Sequence, residues 1–295
     1  MKAEQANKLA DEALTNLAAA LEQGKSEALT AFLAAAARFH DYSFGNVMLT
    51  ITQKPDATRV AGFNAWKKLN RFVKKGEKGI AIIAPMLIKP RDHDEAAPKD
   101  EDRAFLRFKA VYVFDVSQTE GEPLPEFAEV AGDPNGHTER LKALVGAEGI
   151  GLEYAADLGG ADGRSENGTI RIRAGLSPAE EFSVLTHELA HEMLHKGDRG
   201  QGTSRKVRET EAEAVAFVVC QAIGLDTNTA AADYIQLYAG NKETLGESLN
   251  FIQQTAAEII AAITPEEQAR TDYQSIPQAA GSSCRHTART NVGIT

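Results

Sequence analysis

The residues best suited to chemistry lie in the second half of this 295-residue chain, in His187-Glu188-Leu189-Ala190-His191. On a helix, histidines four apart stand on one face, one turn from each other, where two imidazoles can share a tetrahedral ion. Glu188 is offset from that face and reaches a water at the ion in place of the ion itself. Zinc lowers the pKa of such a water to roughly 7, and the glutamate can take its proton as it attacks a carbonyl. A catalytic zinc also needs a third protein ligand and an open position. The sequence offers Glu209, Glu211 and Glu213, on a stretch that turns apolar directly afterwards at Val215, Phe217, Val218 and Val219. Glu209 and Glu213 are one turn apart on one face, and Glu211 points elsewhere. That spacing favours Glu209 as the ligand, with Glu213 behind it accepting a hydrogen bond from a ligating histidine. Glu211 stays open as an alternative ligand, and an acidic helix start that complements the helix dipole is the bland reading of all three. His195 continues the face of His187 and His191, where an exposed histidine at a helix end is the commoner case.

A second chemistry is written in the first half. The net charge is −10, yet residues 54–91 carry Lys54, Arg59, Lys67, Lys68, Arg71, Lys74, Lys75, Lys78, Lys89 and Arg91 against only Asp56 and Glu77. Such segregation leaves a basic face on an acidic protein. Beside it, Tyr42-Ser43-Phe44-Gly45-Asn46 and Gly62-Phe63-Asn64-Ala65-Trp66 interleave aromatic and polar residues. Lysines that follow a phosphate backbone, with aromatic faces on which bases stack, are what a single-strand binding surface requires. The expected DNA contacts are Tyr42, Asn46, Trp66, Lys67, Lys68, Arg71, Lys74, Lys75 and Lys78. The competing reading places the aromatics in the core and the lysines in solvent.

The elements that must hold these groups can be read from periodicity. Helices are expected at 2–22, 28–39, 47–53 and 62–69, and the clearest strands at 80–84 and 111–114, which are rich in β-branched and aromatic residues. Residues 90–102 read as a long exposed hairpin loop, and 120–134, with three prolines and two glycines, as a linker. A helix at 138–145 and strands at 150–154 and 169–173 follow, the two strands separated by a glycine-punctuated turn region. Ser177-Pro178-Ala179-Glu180 supplies a cap, a first-turn proline and an acidic first turn for a helix running to about His195. Further helices are expected at 205–223, 230–239 and 244–263, before a polar, aperiodic tail.

Composition narrows the class. Hydrophobic residues make up 43% and charged residues 25%, as in an ordinary globular protein. No run of about 18 apolar residues offers a membrane span. The polar N-terminus and two distant cysteines, Cys220 and Cys284, fit a cytoplasmic protein.

The metal segment resembles the ImmA/IrrE-type metallopeptidases, whose signature is an H-E-L-[AG]-H helix followed by an E-x-E-A helix, here His187 to His191 and Glu209 to Ala212. Asn167-Gly168-Thr169-Ile170-Arg171-Ile172 is similar to that family's edge strand, which aligns substrate as an added strand. Tyr42-Ser-Phe-Gly-Asn46, Gly62-Phe-Asn-Ala-Trp66, Lys75-Gly-Glu-Lys-Gly79 and Val113-Phe-Asp-Val-Ser-Gln-Thr119 together resemble the N-terminal domain of ArdC-type antirestriction proteins. Where many relatives carry a Trp-Thr-Gly-His-type segment after the metal helix, this chain has Glu192-Met193-Leu194-His195. The resemblance implies an α+β chain of two domains. Residues 1–125 would form an ssDNA-binding domain of helices with a small antiparallel sheet, and 136–265 a zincin-like metallopeptidase fold, with 266–295 a flexible tail. It implies a plasmid-encoded protein that shields incoming single-stranded DNA from restriction during conjugation, with Zn2+ on His187, His191 and Glu209 and with Glu188 as general base. A protein substrate or a restriction enzyme is the second class of partner. Two alternatives stay open: a regulatory zinc protease that cleaves a repressor or DNA-associated protein, and a DNA-binding protein whose metal site is structural.

Overall fold

A computed structural model of the chain describes residues 1–23, 25, 27–88, 105–122, 134, 136–225 and 242–264. The expected loop at 90–102, helix at 230–239 and tail at 266–295 lie outside the described residues, as does most of the 120–134 linker.

Three amphipathic helices open the chain: α1 (Ala3–Glu22), α2 (Glu27–Arg38) and α3 (Phe44–Gln53). After them come β1 (Val60–Gly62), α4 (Phe63–Lys68) and β2 (Arg71–Val73), then β3 (Ile80–Ile88), β4 (Phe105–Asp115) and β5 (Thr119–Gly121). β4 is the central strand of an antiparallel sheet ordered β1-β4-β3, and β2 pairs with β5 in a separate ribbon. The outer edge of β3 would present unpaired backbone groups, which invite pairing with another chain. Two amides from α3 occupy it. The Asn46 amide donates to Ile83 O (2.9 Å) and accepts from Ile83 N (2.8 Å). One strand repeat away, Gln53 donates to Ala81 O (2.9 Å) and accepts from Ala81 N (3.0 Å). Helix α3 thus satisfies the edge as a neighbouring strand would.

The segment from Val113 to Thr119 acts as a knot. The buried Asp115 carboxylate accepts from the backbone N–H groups of Thr58, Arg59 and Ser117. Burial pushes its pKa up, but these hydrogen bonds prevail and hold it below the ordinary carboxylate range. Gln118 accepts from Asp115 N and donates to Glu77 and to Lys78 O. Gly79 lies so close to β4 that a Cβ there would fall 2.9 Å from Tyr112 Cβ.

The second half runs α5 (His137–Ala147), β6 (Gly151–Ala155), β7 (Gly163–Glu166), β8 (Thr169–Arg173), α6 (Pro178–Leu194), the short α7 (Asp198–Gly202), α8 (Arg205–Ala222) and α9 (Lys242–Ile263). The expected edge strand is corrected here. β8 is central, parallel to β6 and antiparallel to β7, and β6 and β7 are the outer strands of this sheet. Asn167 and Gly168, both at positive φ (54° and 76°), make a two-residue hairpin turn that folds 163–166 back as an added strand.

The helices on either side of residues 123–133 share one core. Phe32 and Leu33 of α2, Leu185 and Leu189 of α6, Val215 and Val218 of α8, and Ile252 and Ile259 of α9 belong to a single buried cluster. Truncating Asn46 to Ala should cost about 1–3 kcal/mol, because it strands a donor and an acceptor on Ile83. Urea denaturation followed by circular dichroism measures it, and an unchanged midpoint would show that the β3 edge is satisfied by other means.

Candidate metal centre and candidate nucleic-acid surface

The cap expected for the metal helix is present: Ser177 Oγ accepts from Glu180 N, and Glu180 Oε2 accepts from Ser177 N (2.8 Å). Ser204 caps α8 through Val207 N. Helix α6 buries Phe182, Leu185, Leu189 and Ala190, and α8 buries Ala212, Ala214, Val215 and Val218. With those stripes packed together, His187 and His191 face Glu209 across the helix pair.

The three donor atoms form a near-regular triangle. His187 Nε2 and His191 Nε2 are 3.1 Å apart, and Glu209 Oε2 lies 3.6 Å from the first and 3.4 Å from the second. Ligand bonds of about 2.0–2.1 Å at tetrahedral angles require donors roughly 3.3–3.4 Å apart, so the set fits one small divalent cation. Among the described residues, this is the group of histidine, cysteine and carboxylate donors close enough to share an ion. Glu213 Oε2 sits 3.3 Å from His187 Nδ1, behind the ligand as spacing suggests. Glu211 does not face the triangle. It is fully buried on the far side of α8, with His195 and Arg199.

Glu188 stands beside the triangle in a cleft of about 910 Å³ that is also lined by residues of β7, from Gly163 to Glu166. Burial raises its pKa against the opposing charge of His187, and the Glu209 charge adds to the rise. β7 lies against it so closely that a Cβ on Gly163 would fall 2.6 Å from Val184 Cγ1 and 2.7 Å from Glu188 Oε1. By sequence, 163–166 belongs to a turn region, and the structure makes it a strand. The Asn167-Gly168 pair is the signal that could reveal it.

Electrostatics divide the two histidines. Burial works against charge on His187, but hydrogen bonds to Glu209 and Glu213 outweigh it and hold its pKa up at about 9. His191 is pushed down to about 4, first by burial and then by the His187 charge. Glu209 is drawn down to about 2, chiefly by its hydrogen bond to His187.

The expected DNA contacts divide into spent and available groups. Trp66 is corrected: its ring is 2% exposed and its indole N–H donates to Phe114 O (2.8 Å), so it is a core residue. Asn46 is corrected as well, since its amide is used on the β3 edge. Tyr42 stacks on Phe39, with its pKa raised to about 12 by burial and then by Asp41. The Arg71 guanidinium binds Thr119 Oγ1 (2.9 Å) and Glu122 O, and Lys74 Nζ binds Ser117 O (2.9 Å), so both cations staple backbone. Lys67, Lys68, Lys75 and Lys78 are exposed. The outward aromatic faces come from residues that are not among the expected contacts, although Phe63 belongs to the Gly62-to-Trp66 segment. Phe63 is 55% and Tyr112 49% exposed. Phe63 packs edge-on against Phe114, and Phe114 and Tyr112 both close on Gly79. Three residues apart on α4, Phe63 and Trp66 share one helix face and both meet Phe114, and the alternation of residue types does not say which of the two rings stays exposed.

A cation must displace the His187 proton, so metal affinity should rise roughly tenfold per pH unit below about 9 and level off above it. Competition against a chromophoric chelator from pH 6 to 10 gives the curve, and a flat profile from pH 6 to 9 would place the displaced proton elsewhere. Gly163→Ala should overpack β7 against α6 at a cost of about 1–3 kcal/mol. Part of that cost should vanish in a Glu188→Ala background, a coupling that a double-mutant cycle of urea midpoints reads directly.

Comparison with known proteins places these features. Residues 4–114 match the family described as the N-terminal domain of anti-restriction factor ArdC. Residues 139–244 match the IrrE N-terminal-like domain of the M78 peptidases. An uncharacterised protein of Bacillus anthracis is 27% identical over 275 residues, which cover 77% of this chain and 46% of that protein. The chain therefore spans about half the length of that relative. The metal-free crystal structure of the antirestriction ArdC protein from the R388 plasmid shares the fold at a TM-score of 0.50 and 20% identity, over 89% of this chain and 98% of that one. The Mn(II)-bound form of the same protein gives 0.51 and 19%, over 87% and 98%. With an ArdC-type N-terminal domain leading into an IrrE-like metallopeptidase domain in one chain, this is an ArdC-like two-domain protein.

Proposed function

We propose that this protein is a cytoplasmic antirestriction factor that binds single-stranded DNA and protects incoming plasmid DNA from restriction endonucleases during conjugation. The observation that carries the DNA reading is the surface around Gly79. Exposed Phe63 and Tyr112 offer two aromatic faces joined through Phe114. Lys78 adjoins Gly79 in sequence, and Lys67 follows Phe63 by one turn of α4. Stacking faces beside cations that neutralise phosphates suit a splayed single strand better than a duplex, whose bases are already stacked. The antirestriction role of the R388 protein gives this surface its context.

For the second domain the proposed cofactor is Zn2+, held by His187, His191 and Glu209, because two imidazoles and one carboxylate in a tetrahedral frame suit zinc better than magnesium or calcium. Bound there, the ion would polarise a carbonyl and acidify a water. Glu188 is then the proton acceptor, and β7 an outer strand beside the cleft along which an extended peptide could lie. The open cleft favours this reading over a structural metal, since structural zinc sites are closed. It also supports a second reading of the whole protein, a regulatory zinc protease recruited to DNA.

The test is a titration of single-stranded and duplex DNA at several salt concentrations. Replacing Lys67 and Lys68 by Ala should weaken single-strand binding and flatten its salt slope, by about 0.7 for each phosphate that is no longer neutralised. Phe63→Ala should weaken binding by roughly 1–3 kcal/mol and leave the slope nearly unchanged. Equal affinity of the wild type for both DNA forms, or a folded Lys67/Lys68 variant with unaltered affinity and slope, would defeat the proposal. Glu188→Ala separates the two readings: retained protection of DNA favours the binding role, and abolished protection with intact DNA affinity favours the protease.

A further inference from the structure

Each candidate metal-binding histidine turns Nε2 toward the site, so each has an Nδ1 left on its other side. For His187 that atom meets Glu213. For His191 it meets another histidine: His191 Nδ1 and His195 Nδ1 are 3.1 Å apart. His195 Nε2 is in turn 2.8 Å from Glu211 Oε2. Arg199 grips both oxygens of that carboxylate, Nη2 to Oε1 at 2.7 Å and Nη1 to Oε2 at 2.9 Å, and its guanidinium lies 4.2 Å over the Phe251 ring. The His195 side chain is 5% exposed and that of Glu211 0%, which keeps solvent from replacing these partners.

These linked side chains have one arrangement of protons compatible with a cation. Two ring nitrogens within hydrogen-bond distance share a single proton, and a nitrogen that binds metal must be unprotonated. With His191 Nε2 committed to the cation, its proton sits on Nδ1 and is donated to His195 Nδ1. The proton of His195 then sits on Nε2 and is donated to Glu211. The reverse arrangement would protonate His191 Nε2 and close it to metal. A carboxylate that accepts at the far end disfavours that reverse arrangement, because His195 must present a proton to it.

We propose that His195 is a positioning residue for the metal centre: with Glu211 it holds His191 in the ring orientation and tautomer that leave Nε2 free for the cation. The middle carboxylate of the Glu209-Glu211-Glu213 series then has the same kind of task as Glu213, carried out through an interposed imidazole. The inference rests on the reading of His187, His191 and Glu209 as ligands.

Zinc affinity, from chelator competition, and melting temperature without metal should be measured for the full-length wild type, His195→Phe and His195→Asn. Phenylalanine fills the space and offers no acceptor, so its affinity should fall roughly 10- to 100-fold. Asparagine keeps an oxygen where Nδ1 now lies and should stay within a few-fold of wild type. Histidine-ring 15N spectra of the zinc-loaded wild type should show His195 as the Nε2–H tautomer, a readout that needs no variant to fold. A His195→Phe protein with wild-type affinity, an equal drop in both variants that tracks a lowered melting temperature, or an Nδ1–H tautomer at His195 each overturns the proposal. A wild type that binds no zinc removes the ligand reading itself, an outcome separate from these.

Discussion

The packing of α6 against α8 fixes the geometry of the candidate metal centre, because its three candidate donors sit on these two helices. Leu185 and Leu189 from one helix, and Val215 and Val218 from the other, are fully buried in the shared cluster. Small residues at Ala190, Ala212 and Ala214 leave room for close approach. A donor triangle with edges of 3.1 to 3.6 Å tolerates little sliding, since interiors packed at crystal-like density transmit strain instead of absorbing it.

Much of this is legible in the sequence because it is local. The four-residue spacing of His187 and His191, the offset of Glu188 and the shared face of Glu209 and Glu213 follow from helix geometry alone, and Ser177 and Pro178 mark where that helix must start. What escapes is tertiary. His195 reads as an exposed helix end, yet it is buried beside Glu211, sixteen residues away on another helix. β7 is polar and short, and only its hairpin turn announces it. The first half shows the ambiguity most plainly. Trp66 and Asn46 stand out through the aromatic and polar alternation that marks a binding surface, but a buried indole needs an acceptor and a strand edge needs partners, and both residues answer those needs. The motifs that carry the family likeness from Val113 to Thr119 and from Lys75 to Gly79 are largely structural staples, while Phe63 and Tyr112 remain outward.

The ion pair behind the candidate metal centre is difficult to justify by stability. Burying the Glu211 carboxylate carries a desolvation penalty of several kcal/mol, which the partly exposed Arg199 offsets only in part, and apolar residues of similar volume would often serve the fold as well or better. Burial raises the Glu211 pKa, but hydrogen bonds from His195, Arg199 and Ser248 prevail and keep it ionised. A permanent charge at this place makes sense for what it imposes on the imidazole in front of it. Carboxylates behind ligating histidines serve that purpose in metal sites generally, setting both ring orientation and basicity.

The same region also ties the two halves of the protein together. Over little more than one turn, α9 presents Ser248 to Glu211, Phe251 to the Arg199 guanidinium, and Gln253 to the N-terminal helices. The buried Gln253 amide donates to the carbonyls of His40 (3.2 Å) and Tyr42 (3.1 Å), in the connection between α2 and α3. Helix α3 is in turn the element that satisfies the β3 edge, and β3 pairs with β4, the strand that carries Tyr112. The support of the candidate metal centre and the frame of the aromatic surface are therefore continuous through packed and hydrogen-bonded groups. The physical consequence is shared stability: the two sites rest on one core, so disrupting α9 packing would loosen both together, even though neither site contributes a residue to the other.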